Sequence, residues 1–181
     1  MQEVKQITDL DIWDAFVASS PQGSVFSTAK WLQLYSAPWK IYGYYKNNNL
    51  VGGIGTFENL QPLTPFQGIL TIPTPDIKYA NIISLQNEVA NQLLDVVPQE
   101  FSNHYNFPDI RPFLWAGFSA RVKYTYVVDL GNLAQLWADL EKSTRYDITR
   151  AQRSQLVFSR GFENGFFDLY TQTFRRKGLS V

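Results

Sequence analysis

The stretch from Lys40 to Phe57, KIYGYYKNNNLVGGIGTF, decides the fold of this chain. It holds two runs rich in aliphatic and aromatic residues, Lys40–Lys46 and Leu50–Phe57, with three consecutive asparagines between them. Two such runs around a short polar break predict a β-hairpin. The glycines in Gly52-Gly53-Ile54-Gly55 indicate a bulge or a close backbone approach within the second strand.

Further strands and helices are predicted on both sides of this hairpin. The other predicted strands in this part of the chain are Val4–Ile7, Gly68–Ile72 and Lys123–Leu130, of which the last has the strongest strand pattern. Before the hairpin two helices are predicted, one capped by Thr8 and one by Ser27 or Thr28. After it, Ser84 is expected to cap a third helix. Pro108 and Pro112 restrict any strand in the segment 105–115 to a short, edge or broken one.

The last third of the chain is predicted to be helix, strand, helix. Asn132 followed by Gln135 is typical of a capping box and predicts the start of a long helix. A short strand is expected at Leu156–Ser159, and a final helix at Gly165–Lys177 that stops at Gly178. The whole order predicts an α/β (α+β) protein with a mixed, mostly antiparallel sheet flanked by helices.

Composition narrows the classes of function. The 181 residues are 45% hydrophobic and 18% charged, which is typical of a globular protein. There is no Cys and only one His, His104, so we expect no metal site and no disulfide framework. No apolar run approaches the length of a membrane span, and the charged N-terminus does not resemble a signal peptide, so a cytoplasmic location is expected by default.

Charge is distributed unevenly along the chain although the net charge is zero. Residues 1–100 hold 5 Lys, no Arg and 9 acidic residues, whereas residues 101–181 hold 11 Lys and Arg and 7 acidic residues. A DNA-binding protein is usually basic overall, so no DNA partner is expected. A local basic face in the last third remains open.

Four stretches carry a resemblance to a known family. They are Pro21-Gln-Gly23-Ser-Val-Phe26-Ser-Thr-Ala-Lys-Trp31, Leu50-Val-Gly52-Gly53, Asp109-Ile-Arg111-Pro112-Phe-Leu-Trp115 and Arg145-Tyr-Asp-Ile148-Thr-Arg150-Ala151. Together with the order of elements, they resemble the FemAB-type branch of the GNAT acyltransferase superfamily, which includes the methicillin-resistance aminoacyltransferases. The resemblance spans most of the chain and implies a GNAT-like fold.

The resemblance also implies a function and a domain organisation. Members of this branch typically have two GNAT-like lobes, so residues 1–130 would be a first lobe and 131–181 the helix-strand-helix start of a second, incomplete one. Members that build peptidoglycan transfer an amino acid from aminoacyl-tRNA to a muropeptide amine, and others are predicted to use acyl-CoA. The expectation is therefore an N-acyltransferase, or part of one, with a small-molecule or muropeptide-like amine as substrate. Acyl-CoA or aminoacyl-tRNA would be a co-substrate rather than a permanently bound cofactor.

Two departures from the family pattern leave an alternative open. Tyr35 stands where the peptidoglycan-building members usually carry a Lys that helps to hold sugar-nucleotide phosphates. The chain also lacks the Gln/Arg-x-x-Gly-x-Gly/Ala loop with which GNAT enzymes bind the pyrophosphate of coenzyme A. Together with 13 Phe, 10 Tyr and 5 Trp, this favours as the alternative a non-catalytic GNAT-like binding domain for a saccharide or a peptide.

The candidate substrate-binding residues follow from these patterns. Arg145 and Arg150 lie on one predicted helix, where guanidinium groups suit a phosphate or a carboxylate. The alternative is a solvated face in which Glu141–Arg145 and Asp147–Arg150 are ordinary helix pairs. The remaining candidates are Asp109 and Arg111, which either pair with each other or line a cleft, together with Tyr35 and Trp115. His104 is expected to be a loop histidine or a lone base, and no catalytic residue is assigned.

Overall fold

The computed structural model describes residues 1–58, 64–73, 78–154 and 165–179. The chain divides into two compact units, Met1–Lys123 and Tyr124–Val181. The strands are β1 (Gln2–Gln6), β2 (Trp39–Lys46), β3 (Asn49–Phe57) and β4 (Leu70–Thr71). The helices of the first unit are α1 (Leu10–Ser19), α2 (Ala29–Leu32), α3 (Tyr79–Leu93) and α4 (Arg111–Trp115), and those of the second are α5 (Leu133–Asp139), α6 (Lys142–Arg153) and α7 (Phe166–Arg176).

The predicted hairpin is confirmed as the centre of the first unit. Strands β2 and β3 pair antiparallel from Trp39 with Phe57 to Lys46 with Asn49. The two residues between them, Asn47 and Asn48, have φ angles of 50° and 65°. Asparagine tolerates this left-handed conformation, which a two-residue hairpin turn requires at both positions. The local sequence therefore explains where the chain reverses.

The four strands form one antiparallel sheet in the order β1-β2-β3-β4, with helices on both faces. One face carries a core with α1 and α2, in which Trp13 and Leu32 are fully buried. The other carries a core with α3 and α4, in which Val89 and Phe113 are buried. The mixed α+β class and the mostly antiparallel sheet flanked by helices are confirmed, and the arrangement is compatible with a GNAT-like fold.

The glycines of β3 allow both helical layers to approach the sheet. A Cβ atom on Gly52 would overlap Cγ1 of Val89 on α3. A Cβ on Gly55, which faces the opposite side, would lie 2.9 Å from Cδ1 of Leu32 on α2. The pairing of β2 with β3 also shifts register between Tyr44 and Tyr45. Of the two alternatives predicted for this glycine run, the close backbone approach is confirmed.

Helix boundaries match the predictions at some ends and not at others. Thr28 caps α2, as expected, by accepting a hydrogen bond from the backbone of Trp31 at 3.3 Å. The cap of α1 is Asp9 rather than Thr8, and its carboxylate accepts bonds from the backbone amides of Asp11 and Ile12. The prediction that Ser84 begins α3 is wrong, because the helix begins at Tyr79.

The segment around Pro112 forms a helix rather than an edge or broken strand. In α4, Pro112 occupies the first turn, where its missing N–H leaves no hydrogen bond unmade. Phe113 turns inward and lies within 6.1 Å, between ring centroids, of Phe107. No regular strand forms in this segment, and Pro112 instead lies at the start of a helix.

The second unit differs from its predictions in two places. Asn132 caps α5, as expected, by accepting from the backbone of Gln135 at 3.0 Å. The predicted long helix is divided, because Leu140 is extended with ψ at 141° and α6 begins afresh at Lys142. Lys123–Leu130, predicted as a strand, forms no regular structure and pairs with none of the described strands. The predicted strand Leu156–Ser159 lies outside the described residues, while α7 and the stop at Gly178 (φ 69°) are confirmed.

Candidate functional site

A row of positively charged side chains runs along α6. Four cations follow one another at helical spacing, with Tyr146 and Thr149 between them, and they are Lys142, Arg145, Arg150 and Arg153. Residues three, four, seven and eight apart share one face of a helix, so all six side chains lie on a single stripe. They line a concavity of about 370 Å³. This set of six is called the α6 row below.

The cations of the α6 row have no acidic partners among the described residues. The helix pairs Glu141–Arg145 and Asp147–Arg150, weighed as an alternative from the sequence, do not form ion pairs within 4.0 Å. Glu141 instead accepts a bond of 3.4 Å from Ser143. The unneutralised charge of the α6 row therefore faces solvent and any anionic ligand that reaches it.

The four cations differ in how far they are held by the protein. Arg145 donates from Nη1 to the backbone oxygen of Ala138 at 3.1 Å, which ties α6 to the end of α5. Thr149 donates its hydroxyl to the backbone oxygen of Arg145 at 2.8 Å. The side chains of Arg150 and Arg153 make no hydrogen bond to a described residue and lie in the last turn, where the helix dipole favours cations. These two guanidinium groups are the ones most available to a ligand.

Asp109 and Arg111 are brought together at the start of α4. Nε of Arg111 lies 2.9 Å from Oδ1 and 3.1 Å from Oδ2 of Asp109. Asn87 on α3 donates to Oδ2 at 2.9 Å, and the backbone N–H of Arg111 donates to Oδ1 at 3.1 Å. These bonds, above all those from the guanidinium, hold the pKa of Asp109 well below its usual range. The carboxylate of Asp109 therefore stays ionised near neutral pH and is unsuited to act as a general base.

Arg111 and Trp115 form an exposed patch beside this pair. The Asp109 carboxylate raises the pKa of Arg111, whose guanidinium remains charged and largely exposed. Its Cζ lies 5.9 Å from the ring centroid of Trp115, one helical turn further along. Trp115 is 75% exposed, so core packing does not account for it. Three of the predicted site residues, Asp109, Arg111 and Trp115, are thus neighbours.

Tyr35 lies apart from that patch and is built into the first unit. Its hydroxyl is 2.9 Å from Oγ1 of Thr64, and Nε1 of Trp31 donates to the same oxygen at 3.3 Å. Its ring packs edge-on against Phe57 at a centroid distance of 5.3 Å. The hydroxyl of Tyr35 is thus engaged in a hydrogen bond with a buried threonine.

A second concavity lies next to Trp31. It has a volume of about 400 Å³ and is lined by Asp14, Val25, Thr28, Lys30, Trp31 and Leu34. Leu34 and Val25 present exposed apolar surface, and Lys30 lies on the same short helix as Trp31. This set is called the Trp31 concavity below. Sequence reasoning did not assign these residues as a site, although Trp31 belongs to the first family-like stretch.

Other family-like residues have structural partners. Gln22 is buried, and its Oε1 accepts from the backbone and hydroxyl of Thr71 at 3.0 and 3.1 Å. Its Nε2 donates to the backbone oxygen of Asn106, which also accepts from Gln86 at 2.8 Å. This network joins β4, α3 and a loop. Residues of the first stretch are therefore explained in part by the fold itself.

His104 is held in a loop by its neighbours. Its Nδ1 accepts from the backbone of Asn106 at 3.0 Å, and its ring lies 3.9 Å from that of Tyr105. Burial lowers the pKa of His104, which favours the neutral imidazole. Of the two interpretations offered by the sequence, the contacts favour a loop histidine with satisfied partners.

Comparison with known proteins identifies no relative from which a function could be inferred. The chain matches no family model, no curated protein and no solved structure. Among the residues that the structure describes, no helix is both long and apolar enough to cross a bilayer. In the same residues no cluster of three or more His, Asp or Glu side chains is placed to hold a metal ion.

Proposed function

We propose that this chain is part of an N-acyltransferase of the FemAB/GNAT-like type, and that the α6 row binds the phosphate groups of the acyl donor. The observation that carries the proposal is the set of four cations without carboxylate partners in the described chain. Acyl-CoA and aminoacyl-tRNA both present phosphates, and guanidinium groups bind phosphate through two parallel hydrogen bonds. Either donor therefore fits the chemistry of the row.

The dimensions of the row also support a phosphate-bearing donor. With a rise of 1.5 Å per residue, the span from Lys142 to Arg153 is about 17 Å. This length accommodates more than one phosphate group. Tyr146, 66% exposed in the middle of the row, presents a ring on which a base can stack. Both donor classes carry an adenosine next to their phosphates or at their acylated end.

The chemistry of this proposal needs no protein nucleophile. An acceptor amine attacks the donor carbonyl, the C–S or C–O bond to the carrier breaks, and the amine proton leaves to solvent or a nearby base. The protein contributes positioning and stabilisation of the developing oxyanion. We expect little or no turnover by residues 1–181 alone, because the pyrophosphate loop of GNAT enzymes is not found in their sequence.

Binding to single-site variants tests the role of the row. Calorimetric titration with coenzyme A, and fluorescence anisotropy with a labelled tRNA, would measure affinity for the wild type, Arg150→Gln and Arg153→Gln. Each substitution is expected to weaken binding about three- to ten-fold, since a charged hydrogen bond in an exposed site is lost. Arg176→Gln is the matched control, because it removes an exposed arginine from a different helix, α7.

The outcomes separate the parts of the proposal. Affinity that is equal in the wild type and in both α6 variants would exclude the α6 row as the donor site. A loss as large in Arg176→Gln would indicate attraction by overall charge only. Clear turnover of acyl-CoA and an amine by this chain alone would contradict the expectation that it is only part of the enzyme.

A second candidate function is favoured by the Trp31 concavity. Its aromatic, aliphatic and charged lining is typical of a site for a saccharide or a peptide, as in a non-catalytic GNAT-like binding domain. Thermal-shift screening separates the two functions, because a ligand that binds only the native state raises its stability. Stabilisation by glycans or peptides, abolished in Leu34→Asp but kept in the exposed control Val122→Asp, would favour the binding domain. Stabilisation by acyl-CoA would favour the enzyme.

A further inference from the structure

The segment Lys123–Leu130 has the sequence of a strand but pairs with no strand among the described residues. In the part of the chain that the structure describes, none of its backbone N–H or C=O groups forms a hydrogen bond. Exposed, unpaired backbone groups in a β-prone segment form a ready template for another strand. This segment, named the free strand below, is therefore a candidate interaction surface.

The free strand is amphipathic with a period of two. Alternate residues place Tyr124, Tyr126, Val128 and Leu130 on one face, with exposed fractions of 94%, 99%, 56% and 66%. The opposite face carries Lys123, Thr125, Val127 and Asp129. Tyrosine and β-branched residues are the types that gain most from cross-strand packing. An apolar face this exposed is unusual for a lone segment.

We propose that the free strand pairs antiparallel with the free strand of a second copy of this chain, around a two-fold axis through Tyr126. In this register Lys123 of each copy faces Asp129 of the other, which gives two opposite-charge pairs. Tyr124 faces Val128 twice, and the two Tyr126 rings meet at the axis. Because the interface is isologous, each contact off the axis forms twice.

The charge pattern selects this register over its neighbours. A parallel pairing would place Lys123 beside Lys123 and Asp129 beside Asp129, and like charges directly opposite are destabilising. A shift by one residue would place apolar side chains opposite polar ones on the same face. A shift by two residues toward the C-terminus keeps the faces but brings Asp129 opposite Thr125. A shift by two residues toward the N-terminus also keeps the faces and pairs Asp129 with Arg121, but it leaves Lys123 opposite Val127. Only the register centred on Tyr126 gives both Lys123 and Asp129 a partner of opposite charge.

The edge strands of the sheet, β1 and β4, are less suited to this role. β4 has only two residues, and the backbone N–H of its Thr71 already donates to Gln22. β1 is polar, with the pattern Gln2-Glu3-Val4-Lys5-Gln6, and it is already hydrogen-bonded to β2 on its inner side. Its Lys5 and Glu3 form an ion pair at 2.9 Å within the strand. Charged side chains of this kind discourage pairing at an edge. A second copy of the free strand is therefore the partner that the sequence of this segment favours.

Sedimentation equilibrium across about 10 to 500 µM protein would test the proposal, since a two-stranded ribbon is only marginally stable and predicts a weak dimer. The wild type is expected to dimerise reversibly. Asp129→Lys and Lys123→Asp each replace two attractive pairs by two repulsive ones, and each is expected to weaken dimerisation about ten-fold. The double variant Lys123→Asp/Asp129→Lys restores opposite charges and is expected to recover the wild-type dimer.

A backbone variant and an exchange measurement complete the test. Tyr126→Pro removes an N–H at the centre of the ribbon and is expected to abolish the dimer without unfolding the first unit. Amide hydrogen exchange at residues 124–130 should slow as protein concentration rises. A monomer at every concentration would overturn the proposal, and so would a dimer that neither Tyr126→Pro nor the charge variants weaken. A dimer weakened by the single charge variants but not restored in the double one would overturn the register.

Discussion

Gly52 lies on β3 where α3 crosses the sheet, and Gly52→Ala is expected to destabilise the Met1–Lys123 unit. The added methyl would overlap Cγ1 of Val89 and would lie 2.9 Å from its Cγ2. It would also lie 3.0 Å from the backbone oxygen of Leu70 on β4, which the sheet holds in place. Neither neighbour can withdraw without moving a helix or a strand.

The expected magnitude follows from two opposing terms. Overpacking a buried site costs about 1–3 kcal/mol. Replacing glycine by alanine within a strand stabilises the fold by about 0.5–1 kcal/mol, because alanine loses less backbone entropy on folding. The free energy of unfolding should therefore fall by roughly 1–2 kcal/mol in Gly52→Ala. Urea unfolding followed by tryptophan fluorescence measures this, since Trp13 is fully buried in the same unit.

A double-mutant cycle identifies the contact responsible. Val89→Ala removes two buried carbons and should cost about 2 kcal/mol from lost transfer energy and the cavity it leaves. In Gly52→Ala/Val89→Ala the new methyl enters that cavity, so the double variant should be no less stable than Val89→Ala alone. Gly165→Ala is the control for replacing a glycine, because no atom of the described residues lies within 4 Å of the point that its methyl would occupy. Additive costs in the double variant, or a Gly52→Ala protein as stable as the wild type, would refute the close approach of α3 to β3.

Three further predictions concern other parts of the first unit. Burial and the hydrogen bond to Glu88 raise the pKa of Tyr44 to about 12, so this tyrosine should ionise near pH 12 in an ultraviolet titration. The free energy of unfolding should accordingly fall between the usual tyrosine pKa of about 10 and pH 12. Tyr44→Phe should lower the free energy of unfolding by about 1 kcal/mol in urea titrations; no loss would contradict a stabilising bond. Because the pKa of Asp109 is lowered by Arg111, the stability difference between wild type and Asp109→Asn should be full above about pH 4 and shrink as pH falls below it; a difference constant from pH 7 to pH 2 would argue against the ion pair. At the hairpin, Asn48→Val should cost about 1–2 kcal/mol and Asn48→Gly close to nothing, since φ is positive there; equal thermal midpoints for both variants would contradict a left-handed turn.

The candidate site was predictable from the sequence where local spacing is enough. Arg145 and Arg150 lie on one helix as expected, and helical spacing extends the row to Lys142 and Arg153. The full set of hydrogen bonds that keeps Asp109 ionised was not predictable, because one donor, Asn87, lies on α3. The Trp31 concavity was missed for the same reason, since its lining comes from elements that only folding brings together.

Local interactions determined the parts of the fold that could be predicted. The turn at Asn47 and Asn48, the cap at Thr28 and the stop at Gly178 each depend on residues within a few positions of one another. Their preferred backbone conformations are the same in a short peptide as in the folded chain. The sequence by itself was therefore sufficient for the hairpin, for most helices and for the α+β class.

Only the tertiary structure decided which β-prone segments pair and where helices begin. Lys123–Leu130 has the stronger strand pattern, yet β4, with only two paired residues, is in the sheet because β3 offers it an edge. A strand is stabilised by hydrogen bonds to a neighbour that is distant in sequence, so its own composition cannot supply the partner. The same holds for α3, which begins at Tyr79, five residues before the expected cap. No side-chain cap marks this start, and the first turn is exposed. The buried residues, Gln86 to Leu93, lie further along the helix, and packing of that part supplies most of the stability of the helix.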